Sequence, residues 1–219
     1  MVYLKKLTVT WAGKKKTNTY ITVPRGAHPQ DKCIPLVVVL RDLLKIADNS
    51  REARSVITSG KIIVDGNVCR DMKRGIGLFD VIEIPDLKKA YRMIIRGKPR
   101  LIEIPVEEAK KKLCRVTGKT VLKKGKLQLN LHDGKNIITD VKDYSVNDSV
   151  LLSLPDQKIS ENVKFGPGCL VMINNGSVVK LKNVIRGLHR KMVLDDGKEI
   201  PLKNFIVVGI DKPIIKVSE

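Results

Sequence analysis

The chain has 219 residues and a formal net charge of +19, from 42 Lys and Arg against 23 Asp and Glu. Hydrophobic residues make up 42% of it, enough to build folded cores, so the basic character is not that of a disordered tail. The basic excess is spread along the whole chain, which excludes a neutral enzyme with one basic extension and indicates a polyanionic partner that contacts much of the molecule. A basic surface kept only for solubility is the alternative, although mixed charge is the commoner route to solubility.

Residue spacing argues against several kinds of site. The four cysteines lie far apart and none forms a C-x-x-C pair, which argues against a zinc ribbon or a redox motif and favours reduced thiols in a cytoplasmic protein. The three histidines are isolated and are interpreted as surface or structural residues. No apolar run approaches the ~20 residues that a membrane span needs. We therefore expect no cofactor, no metal, no membrane contact and no small-molecule substrate.

The predicted elements begin with a basic N-terminal arm at residues 1–33, where proline and glycine interrupt any regular pattern. Apolar residues at helical spacing then predict a first helix over about residues 35–47. Arg41 and Lys45 would form an i,i+4 pair beside its buried stripe.

A second helix is predicted directly afterwards. Residues 48–50 offer candidate N-caps, and Gly60 ends the helix where a left-handed residue is required. Arg51 and Arg54 fall on a face away from the predicted buried side chains. Because both are long cations on a rigid element, they are candidates for binding an anionic partner.

A β-hairpin and a further strand follow this helix. Residues 61–64 and 67–69 flank Asp65-Gly66, which is the strongest kind of short-range hairpin signal. Residues 80–84 alternate in the manner of a strand and are followed by a proline. The two helices and the hairpin are therefore expected to share one small core.

Beyond residue 100 the sequence predicts a short helix over residues 107–113 and then many short strands. Turns rich in Gly, Asn and Asp separate these strands, which is typical of small barrels or sandwiches. The predicted strands are Leu127–Leu131, Asn136–Val141, Ser149–Leu154, Leu170–Ile173, Val178–Ile185, Met192–Leu194 and Phe205–Val208. Residues 101–164 and 165–219 are interpreted as two small β domains.

The helices, hairpin and strand together resemble the S-four RNA-binding domain, a small αL module of translation proteins. The residues that carry the resemblance are Arg51-Glu52-Ala53-Arg54, Gly60-Lys61-Ile62-Ile63-Val64-Asp65-Gly66 and Asp80-Val81-Ile82-Glu83-Ile84. Guanidinium groups on a rigid helix bind phosphates bidentately, which suits recognition of a folded RNA backbone. An ordinary solvated helical face is the alternative interpretation of the same residues.

Nearly the whole chain is similar to the archaeal and eukaryotic S-four-e family of small-subunit ribosomal proteins, and more to its archaeal members. The matching segments are Ile34–Leu36 with Leu40–Asp42, Gly77–Val81, Glu107–Lys110 with Leu113–Cys114, Gln128–Gly134, Val146–Ser149 and Phe205–Gly209. Six segments in the right order make a specific signal, whereas any one of them alone would be weak.

This resemblance implies an α+β, mostly β chain: a basic arm (1–33), an S-four-like RNA-binding domain (34–100), a central family-specific β domain (101–164) and a C-terminal SH3-like, KOW-type barrel (165–219). It implies a structural role in the small ribosomal subunit, in the cytoplasm. The expected partners are small-subunit ribosomal RNA, bound in its 5′ region, and neighbouring ribosomal proteins. Off the ribosome the chain is expected to be a monomer.

The candidate RNA-binding residues are basic or polar side chains of the arm, the S-four-like domain and the KOW-type loop. They are Lys14, Lys15, Lys16, Arg25, Arg41, Lys45, Ser50, Arg51, Arg54, Lys61, Lys73, Arg74, Lys180 and Lys182. Two features depart from the family pattern: the arm has fewer basic residues than usual, and the loop at residues 176–182 contains a single glycine. An aromatic content of 4% provides no stacking platform for unpaired bases, so recognition should rest on phosphates and RNA shape, with steep salt dependence.

Two other functions fit parts of this pattern. An RNA-modifying enzyme such as a pseudouridine synthase can carry an S-four module, but it also needs a catalytic domain, and the residues after 100 divide into short β segments. A non-ribosomal assembly or stress factor would share the RNA-binding module. No cysteine–histidine pairing and no phosphate-binding loop favours catalysis, so the chain is predicted not to be an enzyme.

Overall fold

The structure is a computed structural model. It describes residues 2–3, 20–30, 32–141, 143–173, 176–185, 191–202 and 205–217. The chain divides into two compact units, residues 1–110 and 111–219. No helix within the described residues is long and apolar enough to cross a membrane.

The first helix is shorter than predicted and changes its winding. Helix α1 spans Leu36–Val38 and continues as a π-helical segment over Val39–Leu43. Lys45 follows with a φ of 52°, a left-handed conformation that stops a right-handed helix. The predicted extension to residue 47 and the predicted i,i+4 pair of Arg41 with Lys45 are therefore wrong.

The second helix, α2, spans Ser50–Thr58 and is capped as the sequence predicts. The Asn49 side chain accepts hydrogen bonds from the backbone N–H groups of Arg51 and Glu52 at 3.0 and 2.9 Å. At the other end, Gly60 adopts a φ of 79°, the left-handed conformation expected after a helix. Both ends of this nine-residue helix are thus fixed by local chemistry.

Most strands of the first unit form one antiparallel sheet. Outside it, β1 (Val2–Tyr3) pairs with β2 (Tyr20–Ile21), and β3 (Ile34–Pro35) pairs with β6 (Gly75–Ile76). The sheet strands are β4 (Ile63–Val64), β5 (Asn67–Val68), β7 (Val81–Ile84), β8 (Lys89–Arg96) and β9 (Lys98–Ile104). Their order is β5-β4-β7-β8-β9. Asp65 and Gly66, with φ of 50° and 76°, form the predicted hairpin turn.

The segment after residue 100 differs from prediction. Strand β9 crosses residues 100 and 101, so the division predicted there falls inside a strand of the first unit. Helix α3 spans only Val106–Ala109. The predicted continuation of this helix to residue 113 is wrong, because Leu113 lies in strand β10 opposite Leu151 and is fully buried there. Pairing with a distant strand overrides the local helical signal.

The second unit contains two five-stranded antiparallel sheets. The first is built from β10 (Lys111–Val121), β11 (Leu127–Leu131), β12 (Asn136–Thr139), β13 (Ser149–Ser153) and β14 (Lys158–Val163), in the order β12-β11-β10-β13-β14. The second is built from β15 (Leu170–Ile173), β16 (Val178–Ile185), β17 (Lys191–Leu194), β18 (Glu199–Pro201) and β19 (Phe205–Gly209), in the order β18-β17-β16-β15-β19. The seven strands predicted beyond residue 100 are all present, with small shifts at their ends. The prediction of a mostly β chain with a few helices is confirmed.

Separate hydrophobic clusters support these elements. In the first unit, α1, Ala53 and Ile57 of α2 and the inner residues of the sheet form one cluster. In the second unit, one cluster lies on the β10–β13 sheet around Leu129 and Leu152, and another on the β15–β19 sheet around Val171 and Val207. Full burial of each large apolar side chain, such as Leu or Ile, stabilises the fold by about 1.5–3 kcal/mol relative to its exposure.

The second unit also buries charge. The Lys112 ammonium lies 3.1 Å from Oδ2 of Asp133, and neither side chain is exposed to solvent. Burial by itself would raise the pKa of Asp133, but the positive charge of Lys112, the neighbouring His132 and the N–H of Lys135 outweigh burial and hold this pKa below its usual range. Arg115 packs over the Phe205 ring at 5.0 Å and donates to the Phe205 carbonyl at 2.8 Å.

Candidate nucleic-acid interface

Helix α2 presents two arginines to solvent. Arg51 and Arg54 lie about one turn apart and both are exposed, whereas Ala53 and Ile57 of the same helix are buried. In the part of the chain that the structure describes, neither guanidinium donates a hydrogen bond or forms an ion pair. Because Asn49 caps the helix, these two side chains project from a fixed backbone with their full donor capacity available.

A third arginine, which the sequence analysis did not select, lies at the end of the same helix. A Cβ placed on Gly60 would lie 3.4 Å from both Nε and Nη2 of Arg70, so this guanidinium lies beside the C-terminal turn. The partial negative charge of a helix C-terminus favours a cation there. Arg70 follows strand β5 in a stretch without a periodic pattern, and only the hairpin fold brings it to α2.

Arg41 and Ser50 are brought together, but they bind each other. The Arg41 guanidinium donates to both carboxylate oxygens of Asp42 at 2.5 and 2.7 Å and to the Ser50 hydroxyl at 2.7 Å. The hydrogen bond to Asp42, together with its negative charge, raises the pKa of Arg41 against the opposing effect of burial. These residues and the exposed Lys45 line an open depression of about 700 Å³ beside α2. Arg41 is therefore a fixed, partly neutralised charge.

Lys61, at the start of the hairpin, is also paired. Its ammonium lies 2.8 Å from Oδ2 of Asp86, and both side chains are more than half exposed. The hydrogen bond to Asp86 raises the pKa of Lys61. Water screens an exposed ion pair of this kind, so an incoming phosphate can displace the carboxylate at little cost.

The last part of the predicted arm lies along the loop after the hairpin. The Arg25 N–H donates to the Lys73 carbonyl, and the Gly75 N–H donates to the Arg25 carbonyl, both at 2.7 Å. The Arg74 guanidinium lies close to Gly26, where a Cβ would be 3.6 Å from Nη1. Three predicted residues from two distant segments, Arg25, Lys73 and Arg74, are thus neighbours in the fold.

The remaining candidates lie elsewhere or outside the described residues. Strand β16 carries Lys180, 3.9 Å from Asp211, and the exposed Lys182, both in the second unit. Lys14, Lys15 and Lys16 lie outside the described residues. Where the chain is described, no group of three His, Cys, Asp or Glu side chains is arranged to hold a metal ion. The arrangement suits electrostatic binding of a polyanion.

Comparisons with known proteins agree on one family. A family model described as Ribosomal family S4e matches residues 87–159. The small ribosomal subunit protein eS4 of Methanocaldococcus jannaschii is 37% identical, over 98% of this chain and 97% of that protein. The protein of the same name from Archaeoglobus fulgidus is 38% identical over 95% and 94%. The crystal structure of the 30S ribosomal protein S4e from Thermoplasma acidophilum matches with a TM-score of 0.74 and 29% identity, covering 86% of this chain and all of that one.

Proposed function

The chain belongs to the eS4 family of small ribosomal subunit proteins, and from that premise we propose that it binds ribosomal RNA mainly through the exposed arginines of α2. It is a structural constituent of the small ribosomal subunit and belongs to a ribosomal family, not an enzyme family. Its partners are ribosomal RNA and neighbouring ribosomal proteins. The RNA contact is made to phosphates and to backbone shape, with little reading of bases.

The observation that carries this proposal is the contrast between paired and unpaired cations. Arg41 and Lys61 already have carboxylate partners, whereas Arg51 and Arg54 are exposed and without one in the described part of the chain. An arginine fork with no internal partner binds a phosphate bidentately without first breaking an ion pair. Arg70 extends this α2 surface at the C-terminal end of the helix.

The test is the double variant Arg51→Ala/Arg54→Ala in the full-length chain. Its affinity for deproteinised small-subunit ribosomal RNA should fall steeply. The slope of log K against log salt concentration should also become shallower by about 1.4–1.8, since each lost phosphate contact changes this slope by roughly 0.7–0.9. The matched control is Lys164→Gln/Lys191→Gln, which removes two exposed cations that pair with Asp143 and Glu199. An unchanged slope with an unchanged melting temperature would refute the assignment, and loss of folding would make these side chains structural.

We also infer a finer organisation of the chain. The separate clusters on the β10–β14 and β15–β19 sheets support a central β domain that begins near Lys111 and ends at about 164, and an SH3-like barrel at about 165–219, with Lys180 and Lys182 as further RNA contacts. Lys14, Lys15, Lys16, Arg25, Lys73 and Arg74 would extend the contact along the arm. Off the ribosome the chain is a monomer in the cytoplasm. Sedimentation equilibrium of the purified chain tests this state, and a stable dimer would contradict it.

A further inference from the structure

A two-stranded ribbon, residues 94–100, extends beyond the first unit's sheet. Strand β8 pairs with β7 only from Lys89 to Arg92, and backbone hydrogen bonds continue that pairing as far as Met93. Beyond that point β8 pairs only with β9 among the described residues, and the two strands meet at Gly97, which has a φ of 68° and nothing within 4 Å of where a Cβ would stand. The end of this ribbon is therefore open to solvent.

Three cations share one face of this ribbon. Arg96 lies directly opposite Lys98, and Arg100 is two residues further along the same strand as Lys98. Cross-strand partners, and residues two apart on a strand, lie on the same face of a sheet. All three side chains are exposed, and no carboxylate in the described ranges pairs with them.

Elsewhere on β8 and β9, a cation has a carboxylate partner on the neighbouring strand. At the base of β8, Lys89 lies 3.3 Å from Oε2 of Glu103 on β9. Like charges directly opposite each other destabilise a strand pair, so the Arg96–Lys98 pair opposes folding of the ribbon. Beyond Met93, as far as the structure describes the chain, both strands of the ribbon have an unpaired edge, so protection of these edges from aggregation is the alternative explanation for the three cations.

We infer that the ribbon is a second ribosomal-RNA contact, at which Arg96, Lys98 and Arg100 bind consecutive phosphates of one RNA backbone. This inference rests on the proposed function, since it takes ribosomal RNA as the polyanion. Three cations on one face provide the spaced charges that a phosphodiester backbone requires. The like-charge repulsion is relieved only when the RNA is bound.

The test uses the full-length triple variant Arg96→Gln/Lys98→Gln/Arg100→Gln. We compare the Kd of this variant for deproteinised small-subunit ribosomal RNA with the Kd of the parent chain. Because the variant lacks three phosphate contacts, its affinity depends less steeply on salt. The ratio of variant Kd to parent Kd should therefore fall about 20–40-fold as the salt concentration rises from about 50 to about 200 mM. Its melting temperature should be unchanged or higher, since the repulsion is removed. The control Lys89→Gln/Lys164→Gln/Lys191→Gln removes the same charge from cations that have carboxylate partners.

Four results would overturn the inference. If the triple variant and the control have the same affinity for ribosomal RNA, while Arg51→Ala/Arg54→Ala binds it more weakly, the ribbon is not an RNA contact and the proposed function stands. If the triple variant binds RNA normally but aggregates, the cations protect the edge strand. If it binds RNA normally but fails to enter the small subunit, the ribbon contacts a protein. If the parent chain does not bind ribosomal RNA, the inference and the proposed function fail together.

Discussion

Replacement of Asp133 by asparagine should destabilise the second unit strongly. The change leaves the Lys112 ammonium charged inside a core where neither side chain was exposed. At 3.1 Å, and with an effective dielectric constant of about 20, the attraction lost is roughly 5 kcal/mol. Removing one partner of a buried ion pair costs about 3–5 kcal/mol, a large part of the 5–15 kcal/mol that stabilises a typical domain. Asparagine keeps an oxygen to accept the Lys135 N–H, so the turn itself is preserved.

A double-mutant cycle measures the energetic coupling between Lys112 and Asp133. It compares the guanidinium denaturation of the parent, of Asp133→Asn, of Lys112→Met and of the double variant Lys112→Met/Asp133→Asn. The double variant should be more stable than Asp133→Asn alone, because methionine removes the buried charge that has lost the Asp133 carboxylate. If Asp133→Asn lowers the free energy of unfolding by less than about 1 kcal/mol, or if the two single changes add, the pair does not support the fold as argued.

The same pair predicts an acid-dependent component of stability. The folded-state pKa of Asp133 is below its usual range, so its contribution is fully present above the unfolded-state pKa of about 3.9 and is lost as the pH falls through the lower folded-state value. The difference in unfolding free energy between the parent and Asp133→Asn should therefore be constant above about pH 5 and shrink below about pH 4. A difference that grows on acidification would contradict the assignment.

Three further changes test other parts of the first unit. Asn49→Ala removes the N-cap of α2 and should lower the free energy of unfolding, measured by thermal denaturation, by about 1 kcal/mol. An unchanged free energy of unfolding would mean that the cap is dispensable. Gly77→Ala would place a Cβ 2.4 Å from the His28 ring and should lower the free energy of unfolding by about 1–3 kcal/mol by overpacking, whereas the control Gly166→Ala, where nothing lies within 4 Å of a Cβ, should have little effect. Glu108→Gln removes the carboxylate that pairs with the fully buried Arg92, and should lower the free energy of unfolding by about 3–5 kcal/mol in guanidinium denaturation. A decrease below about 1 kcal/mol would show that burial of Arg92 does not depend on this carboxylate.

Elements governed by local chemistry could be predicted from the sequence. Asn49 and Gly60 bound α2, and Asp65-Gly66 forms the hairpin turn, because caps and tight turns depend on a few neighbouring residues. Strand β11 alternates buried and partly exposed residues in the pattern that its sequence shows. The early end of α1 could not be predicted, since nothing in the sequence signals that Lys45 adopts a left-handed conformation.

Two of the strands that the sequence did not predict, β8 and β10, turn charge inward. Strand β8 buries Arg92 against Glu108, and β10 buries Lys112 against Asp133. In the sequence, a Lys or Arg is normally interpreted as a solvent-facing residue. A buried cation at an inward-facing position of a strand therefore conceals the alternation of apolar and polar residues that would predict the strand. Only the folded chain shows that each cation has a carboxylate partner 16 or more residues away.

The candidate site was limited by the same lack of tertiary information. Arg51 and Arg54 could be placed on an exposed helical face from periodicity alone. The pairing of Lys61 with Asp86, and the position of Arg70 beside Gly60, depend on how the hairpin and the sheet fold together. On α2 the sequence therefore predicts which basic residues face outward, whereas the structure distinguishes the cations that already have a carboxylate partner.

The central claim, that this chain is a structural part of the small ribosomal subunit, is tested most directly by its sedimentation. A tagged copy produced in its own cells should run with the small subunit in a sucrose gradient at low magnesium, at about one copy per particle, and should remain bound at moderate salt. Appearance only at the top of the gradient, or in substoichiometric amounts on precursor particles, would contradict the claim and indicate an assembly factor or an RNA-modifying enzyme.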